Sequence, residues 1–161
     1  MNQPRSSGGE QHDFQYPDTF HDPLGHEPAA NRAHWTILVA EDDPYLRLAL
    51  NRLLSETGFT VWLAADGEEA LELYRRCGET IHVVLLDVHM PRRNGPRTLA
   101  ALRALNPAVC CCFMSGALDD QEVHGLLAQG AVHCFRKPFG ANELCGTLGE
   151  LASSVGVGLG R

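Results

Sequence analysis

Short apolar runs alternate with amphipathic stretches along most of the chain, and this alternation predicts strands and helices in turn. The runs are almost continuously hydrophobic, which is typical of strands buried on both faces of a parallel sheet. The five predicted strands are Thr36 to Ala40, Thr60 to Ala64, Val83 to Asp87, Val109 to Met114 and Val132 to Phe135. Each of them is followed by a stretch with helical spacing.

In those stretches, apolar residues recur every three or four positions. Pro44 suits the first turn of the first helix and Gly58 its end, while Asp66 is predicted to cap the second helix, with Glu69 completing a capping box. The other helices are predicted over Gly95 to Leu105, Asp119 to Gln129 and about Asn142 to Ser153. Five units are too few for a closed barrel, so we predict an α/β domain with a doubly wound, five-stranded parallel sheet.

Both ends of the chain differ from this pattern. Residues 1–34 are rich in Gln, Pro, Asp, Gly and His and have few aliphatic side chains, so we predict a disordered or loosely attached extension. Three of its four histidines (His12, His21 and His26) lie beside acids but lack the spacing of a known metal site. Residues 155–161 are predicted to be a flexible tail, which leaves 35–154 as the folded domain.

Charge and composition narrow the class of protein. The 161 residues carry a net charge of −7 and a single lysine, which argues against direct contact with nucleic acid. No apolar run approaches the roughly 20 residues that span a bilayer, and the N-terminus does not resemble a signal peptide, so we expect a cytoplasmic protein without a membrane segment. The three adjacent cysteines, 110–112, are predicted to be core residues rather than a redox or zinc motif.

Charged residues follow three of the predicted strands. Glu41 and Asp42 come directly after the first strand, Asp87 ends the third, and Lys137 follows the fifth. The carboxyl ends of parallel strands meet at one edge of the sheet, so these side chains are expected to converge there. Carboxylate oxygens suit Mg²⁺, which also relieves their repulsion. Alternatively, Glu41, Asp42 and Asp43 simply begin a helix, where acids favour the positive end of the helix dipole, but this would explain only the first group of acids.

Asp87 and Lys137 need a further explanation. An acid directly behind four aliphatic residues is costly to bury without a partner. Lys137 can form an ordinary salt bridge, but a lysine is also a suitable point charge for a phosphoryl group. Ser115, at the end of the fourth strand, can offer a hydroxyl to the same anion.

Four segments together resemble the receiver domain of two-component response regulators. They are Ile37 to Asp43, Leu85 to Pro91, Met114 to Gly116 and Lys137 to Phe139, and they have the order and spacing of that family. The resemblance extends from about Thr36 to Ser153 and implies a flavodoxin-like (βα)5 receiver fold.

The resemblance also implies roles for the strand-end residues. Asp87 would be the phosphoacceptor; Glu41, Asp42, Asp87 and the backbone carbonyl of His89 would bind Mg²⁺; Ser115 and Lys137 would hold the phosphoryl oxygens. A sensor histidine kinase or histidine phosphotransfer protein would donate the phosphoryl group, and a downstream target protein would bind the phosphorylated form. Such a protein catalyses its own phosphorylation and dephosphorylation but is not a conventional enzyme.

Three features depart from the family pattern. Cys134 occupies the position three residues before the lysine, where an aromatic residue is usual, and Arg93 occupies a usually apolar position, so that its loop is expected to be more exposed or to bind a particular partner. Gly146 and Gly149 are expected to weaken the last helix, each by roughly 1 kcal/mol relative to alanine.

Because few residues follow Ser153, we expect a stand-alone receiver, which would act as a relay, as a regulator of a target or as a phosphate sink. The alternative is a receiver-fold interaction module that acts independently of phosphorylation. The sequence leaves homodimer formation open.

Overall fold

A computed structural model of the protein describes residues 35–156. The predicted N-terminal extension, including His12, His21 and His26, lies outside the described residues, as does most of the predicted C-terminal tail. The strands are β1 (Thr36–Ala40), β2 (Thr60–Ala64), β3 (Val83–Asp87), β4 (Cys111–Ser115) and β5 (His133–Arg136). The helices are α1 (Pro44–Glu56), α2 (Gly67–Cys77), α3 (Gly95–Leu105), α4 (Asp120–Ala128) and α5 (Ala141–Gly156), and a short 3₁₀ helix, Gly78–Thr80, follows α2.

The five strands form one parallel sheet in the order β2-β1-β3-β4-β5. This confirms the predicted doubly wound sheet, and the strand order is that of flavodoxin-like folds. In register, Ala40 pairs with Leu86, and Asp87 pairs with Met114. The carboxyl ends of β1, β3 and β4 therefore reach the same edge of the sheet, where ligands bind in open α/β folds.

Two hydrophobic clusters cover the two faces of the sheet. Alternate residues of the central strands point to opposite faces, so Leu38 and Leu86 belong to one cluster while Ile37 and Leu85 belong to the other. Helices α2, α3 and α4 contribute buried residues to the first cluster, namely Leu71, Leu99, Leu102 and Leu126. Helices α1 and α5 contribute Leu50, Leu54, Leu144 and Leu148 to the second. This burial on both faces explains why the strands lack polar alternation.

The helix ends differ from prediction in two places. The Asp66 side chain accepts hydrogen bonds from the N–H groups of Glu68 and Glu69, as a cap should, but the Glu69 carboxylate accepts from Ala65 N–H, so the predicted capping box is wrong. A complete capping box instead begins α4, between Asp119 and Glu122. Here each carboxylate accepts from the other residue's N–H.

Some predicted boundaries also shift. β4 begins at Cys111 rather than Val109, because the N–H of Val109 is bonded in a turn to the carbonyl of Asn106. α5 extends to Gly156 and contains Gly146 and Gly149, so the tail predicted to start at 155 begins within this helix. No helix among residues 35–156 has both the length and the apolar character needed to cross a membrane.

The three adjacent cysteines lie in the core, as predicted. Cys111 and Cys112 have no exposed surface, and Cys110 is also buried. Burial raises the pKa of all three thiols, most strongly in β4, so these side chains behave as small apolar residues rather than as reactive thiolates.

Candidate functional site

Three carboxylates meet at the carboxyl edge of the sheet, as predicted. Glu41 directly follows β1 and is 2% exposed, Asp87 ends β3 and is 5% exposed, and Asp42 lies beside them on the surface. One oxygen from each carboxylate lies within 4.8 Å of the others. We call these three residues the acidic cluster. Oxygen donors at such separations can share one divalent cation, and Mg²⁺ needs only one or two direct carboxylates beside its waters.

Lys137 joins the two buried acids of the cluster. Its Nζ donates to Glu41 Oε2 and to Asp87 Oδ1, at 2.7 Å in both cases. The lysine side chain is only 22% exposed. The ion pair offsets the free-energy cost of burying the Asp87 carboxylate at the end of an aliphatic strand. It also holds Asp87, the phosphoacceptor candidate, in position.

Charge in the site is not balanced by this lysine. Three carboxylates and one ammonium leave an excess of two negative charges if all four groups are ionised. Burial raises the pKa of Glu41, despite the opposing hydrogen bonds from Lys137 and Asp43. Burial lowers the pKa of Lys137, but its hydrogen bonds to Asp87 and Glu41 outweigh that effect and leave the pKa raised. A divalent cation therefore fits both the donor set and the missing charge.

The neighbouring Asp43 has a structural task instead. Its carboxylate accepts from the N–H groups of Tyr45 and Leu46 and so caps α1. Arg47, on the next turn of the helix, donates from Nη1 to the backbone carbonyl of Glu41 at 2.7 Å. The helix-start explanation of the acidic run thus holds for its third member, while the first two remain in the acidic cluster.

The second oxygen of the Asp87 carboxylate faces the β3–α3 loop, residues 88–94. Asp87 Oδ2 accepts from the backbone N–H of His89 at 2.9 Å. Both carboxylate oxygens are therefore held, one by a side chain from the end of β5 and the other by the loop. The backbone carbonyl of His89 as a metal ligand stays a prediction.

Ser115 ends β4, one position beyond Met114, the register partner of Asp87. The residue is 1% exposed, and its hydroxyl accepts from Ala117 N–H at 3.4 Å. Its backbone carbonyl accepts from Lys137 N–H at 2.8 Å, which ties the ends of β4 and β5 together. Ser115 thus lies at the same edge of the sheet, and its contact with a phosphoryl group stays a prediction.

Gly95, the first residue of α3, is a part of the site that the sequence reading did not single out. A Cβ there would lie 2.5 Å from the carbonyl oxygen of Asp87 and 2.7 Å from Phe113 Cε1. The Gly95 N–H also donates to Val88 O at 3.0 Å. The helix can approach the phosphoacceptor candidate this closely only because it begins with glycine.

An open pocket of about 420 Å³ adjoins the site, lined by Leu46, Lys137, Pro138 and Phe139. The Lys137–Pro138 peptide bond is cis. A larger cavity of about 620 Å³ lies elsewhere, between the end of α2 and the end of α3, where Tyr74 and Asn106 share a hydrogen bond. No residue of the acidic cluster lines the larger cavity, so this cavity is separate from the candidate functional site.

Comparison with known proteins gives a consistent result. Residues 37–148 match the response regulator receiver domain family. The chain is 35% identical over 116 residues to the sensor kinase CckA of Brucella abortus (strain 2308), covering 72% of this chain and 12% of that protein. It is 39% identical over 108 residues to the transcriptional regulatory protein CpxR of Escherichia coli (strain K12), covering 67% of this chain and 45% of that protein.

A solved structure gives the same picture. The crystal structure of the CheX-CheY-BeF3-Mg+2 complex from Borrelia burgdorferi matches with a TM-score of 0.68 and 25% identity, covering 75% of this chain and 88% of that chain. The chain spans less than half the length of the two curated relatives named above.

Proposed function

The chain belongs to the response regulator receiver family, and on that premise we propose that it accepts a phosphoryl group on Asp87 in a Mg²⁺-dependent reaction. The observation that carries the proposal is the fixed Asp87 carboxylate, held by Lys137 and the His89 N–H beside two further acids. The donor would be a histidine kinase or a histidine phosphotransfer protein. The phosphorylated domain would then act through a partner protein.

The acidic cluster fits the metal that this reaction uses, because its oxygens converge and its negative charge exceeds that of Lys137. Glu41, Asp42 and Asp87 would hold the ion, with the His89 carbonyl as a further ligand. When bound, Mg²⁺ would neutralise charge on the transferred phosphoryl group.

The chain's own residues supply positioning. Asp87 Oδ attacks the phosphorus of the donor phosphohistidine in line, forming an O–P bond while the N–P bond breaks and the histidine nitrogen leaves. The Lys137 ammonium, already at 2.7 Å from Asp87, is placed to stabilise the negative charge on the oxygens of the transferred phosphoryl group. The Ser115 hydroxyl would donate a hydrogen bond to a phosphoryl oxygen and so orient the product. Water attacking the same phosphorus would release phosphate and restore the Asp87 carboxylate.

Intact mass after incubation with Mg²⁺ and acetyl phosphate tests the proposal. We expect the gain of one phosphoryl group, which Asp87→Asn and omission of Mg²⁺ both abolish. Asp119→Asn is the matched control, because it also removes one carboxylate but lies at the α4 cap, where asparagine serves equally well.

A protein that binds Mg²⁺ but gains no mass from acetyl phosphate or from a phosphorylated histidine donor would contradict the proposal. That outcome would favour the interaction module that acts independently of phosphorylation. Cys134 gives this second function some support, since it replaces the usual aromatic residue and is half-buried against the core.

A further inference from the structure

Two arginines of the β3–α3 loop contact the start of α2. Arg92 forms an ion pair with Asp66, and Arg93 Nε donates to Glu68 Oε1 at 2.8 Å. Arg93 was expected to leave the loop more exposed or to bind a partner, but its side chain is only 28% exposed and lies against α2. The two ion pairs join the loop that follows the phosphoacceptor to a different helix.

The backbone at this point is also closely packed. A Cβ at Gly67, the first residue of α2, would lie 2.5 Å from the carbonyl oxygen of Arg93 and 2.0 Å from Thr98 Oγ1. Within the loop, Arg93 N–H bonds to Pro91 O at 2.6 Å. The loop therefore rests directly on the N-terminus of α2, and side-chain and backbone contacts act at the same place.

Arg92 adopts a conformation that is unfavourable for its residue type. Its φ of +60° is the one positive value at a non-glycine residue among residues 35–156. A residue other than glycine keeps such a backbone when surrounding contacts impose it. The contact here is with the Asp66 carboxylate, whose side chain is 2% exposed. Its other oxygen caps α2 through the N–H groups of Glu68 and Glu69.

We propose that Arg92 and Arg93 are positioning residues that fix the β3–α3 loop against α2 and thereby set the placement of His89 beside Asp87. This inference rests on the proposed function, because the placement matters through the phosphoacceptor and the metal that its neighbours would bind. His89 lies three and four residues before the two arginines, and its N–H holds Asp87 Oδ2. A loop released from α2 would leave that carboxylate oxygen and the His89 carbonyl less well oriented.

Hydrogen exchange in the metal-free protein tests the contact itself. In the double variant Arg92→Gly/Arg93→Gln, we expect the amides of His89 and Gly95 to exchange about tenfold faster, because local opening no longer breaks two ion pairs. Glycine is chosen because it adopts the positive φ without strain. An exchange rate within twofold of the wild-type rate would overturn the proposal.

Two further variants separate the contact from general stability. Asp66→Asn/Glu68→Gln removes the same charges from the α2 side while asparagine retains the helix cap, so it should accelerate the same amides. Arg52→Gln is the matched control, since Arg52 makes an exposed ion pair of 2.8 Å with Glu56 on α1 and touches nothing at the site. It should leave both amides unchanged.

The effect on phosphorylation is a separate measurement. We expect the Mg²⁺ concentration for half-maximal phosphorylation by acetyl phosphate to rise about tenfold in both double variants, as for the loss of groups that orient metal ligands. Exchanging the charges, Arg93→Glu/Glu68→Arg, should restore part of the loss relative to Arg93→Glu alone. Faster exchange with an unchanged Mg²⁺ requirement would overturn the positioning role. If the wild-type protein is not phosphorylated at all, the proposed function fails, and the exchange rates still decide whether the arginines fix the loop.

Discussion

Replacing Gly95 by alanine tests how closely α3 approaches Asp87, the proposed phosphoacceptor. The change adds one methyl group. It would lie 2.5 Å from Asp87 O and 2.7 Å from Phe113 Cε1, where ordinary contacts are 3.4–4 Å. Neither neighbour is the free end of a flexible side chain, because one is a strand carbonyl and the other belongs to a ring with no exposed surface. The helix or the strand end must therefore move.

The expected cost follows from these contacts. Adding a methyl group to a packed core typically destabilises a protein by about 1–3 kcal/mol. Replacing glycine by alanine inside a helix raises the free energy of unfolding by up to about 1 kcal/mol, and by less at the first helical position. We therefore expect Gly95→Ala to lower the free energy of unfolding by about 1–2 kcal/mol. Phosphorylation of Asp87 should also slow, because the displaced atoms are those of its own backbone.

Urea denaturation followed by circular dichroism measures this change. With a slope of about 2 kcal/mol per molar urea, the middle of the usual range, the midpoint should fall by about 0.5–1 M. Gly146→Ala is the control: it makes the same chemical change inside α5, where a Cβ meets nothing within 4 Å, so its midpoint should rise. Equal or greater stability of Gly95→Ala, alongside a stabilised Gly146→Ala, would refute the close-contact argument.

Three shorter predictions concern charge and thiols. The raised pKa of Lys137 means that its ion pairs stabilise the fold fully below pH 10.5, the ordinary lysine value, and that this contribution is lost as the pH rises through the higher folded-state pKa. Urea midpoints of the wild type and Lys137→Met should therefore differ most between neutral pH, where the partner carboxylates are ionised, and pH 10.5, and converge in stronger alkali; a constant difference would contradict this. Because burial raises the pKa of Cys111 and Cys112, iodoacetamide at pH 8 should leave both unmodified in the native protein, as mass spectrometry of peptides would show. Asp120→Asn should leave the urea midpoint almost unchanged, since the Asp120–Arg136 ion pair is exposed.

The sequence predicted the sheet and the location of the site well. Continuous apolar strands have one stable arrangement when each is followed by an amphipathic helix, and the charged strand ends must then meet at one edge. Glu41, Asp87 and Lys137 are accordingly in contact. Asp42, the exposed member of the acidic cluster, was also placed correctly, because it lies only two residues beyond the end of β1, which the sheet fixes.

What the sequence did not predict depends on the exact placement of side chains and backbone, and mostly on contacts between segments that are distant along the chain. Glu69 lies at the capping-box spacing, yet its carboxylate accepts from the N–H one residue earlier. The Arg93–Glu68 bond joins residues 25 positions apart, and no periodicity indicates it. A glycine at the first helical position is visible in the sequence, but its meaning depends on how closely α3 packs on β3. Such details follow from tertiary packing rather than from local pattern.

The two oxygens of Asp87 are held by different parts of the fold, and this has a consequence for the proposed reaction. Oδ1 accepts from Lys137, which follows β5, and Oδ2 accepts from the N–H of His89 in the β3–α3 loop. Forming a bond from either oxygen to phosphorus weakens that oxygen as an acceptor, so one of these two hydrogen bonds must be exchanged for a bond to the phosphoryl group. If Oδ1 reacts, the change is passed to the segment that leads into α5. If Oδ2 reacts, it is passed to the loop that Arg92 and Arg93 tie to α2. Comparing hydrogen exchange of the two segments before and after phosphorylation would therefore identify the reacting oxygen.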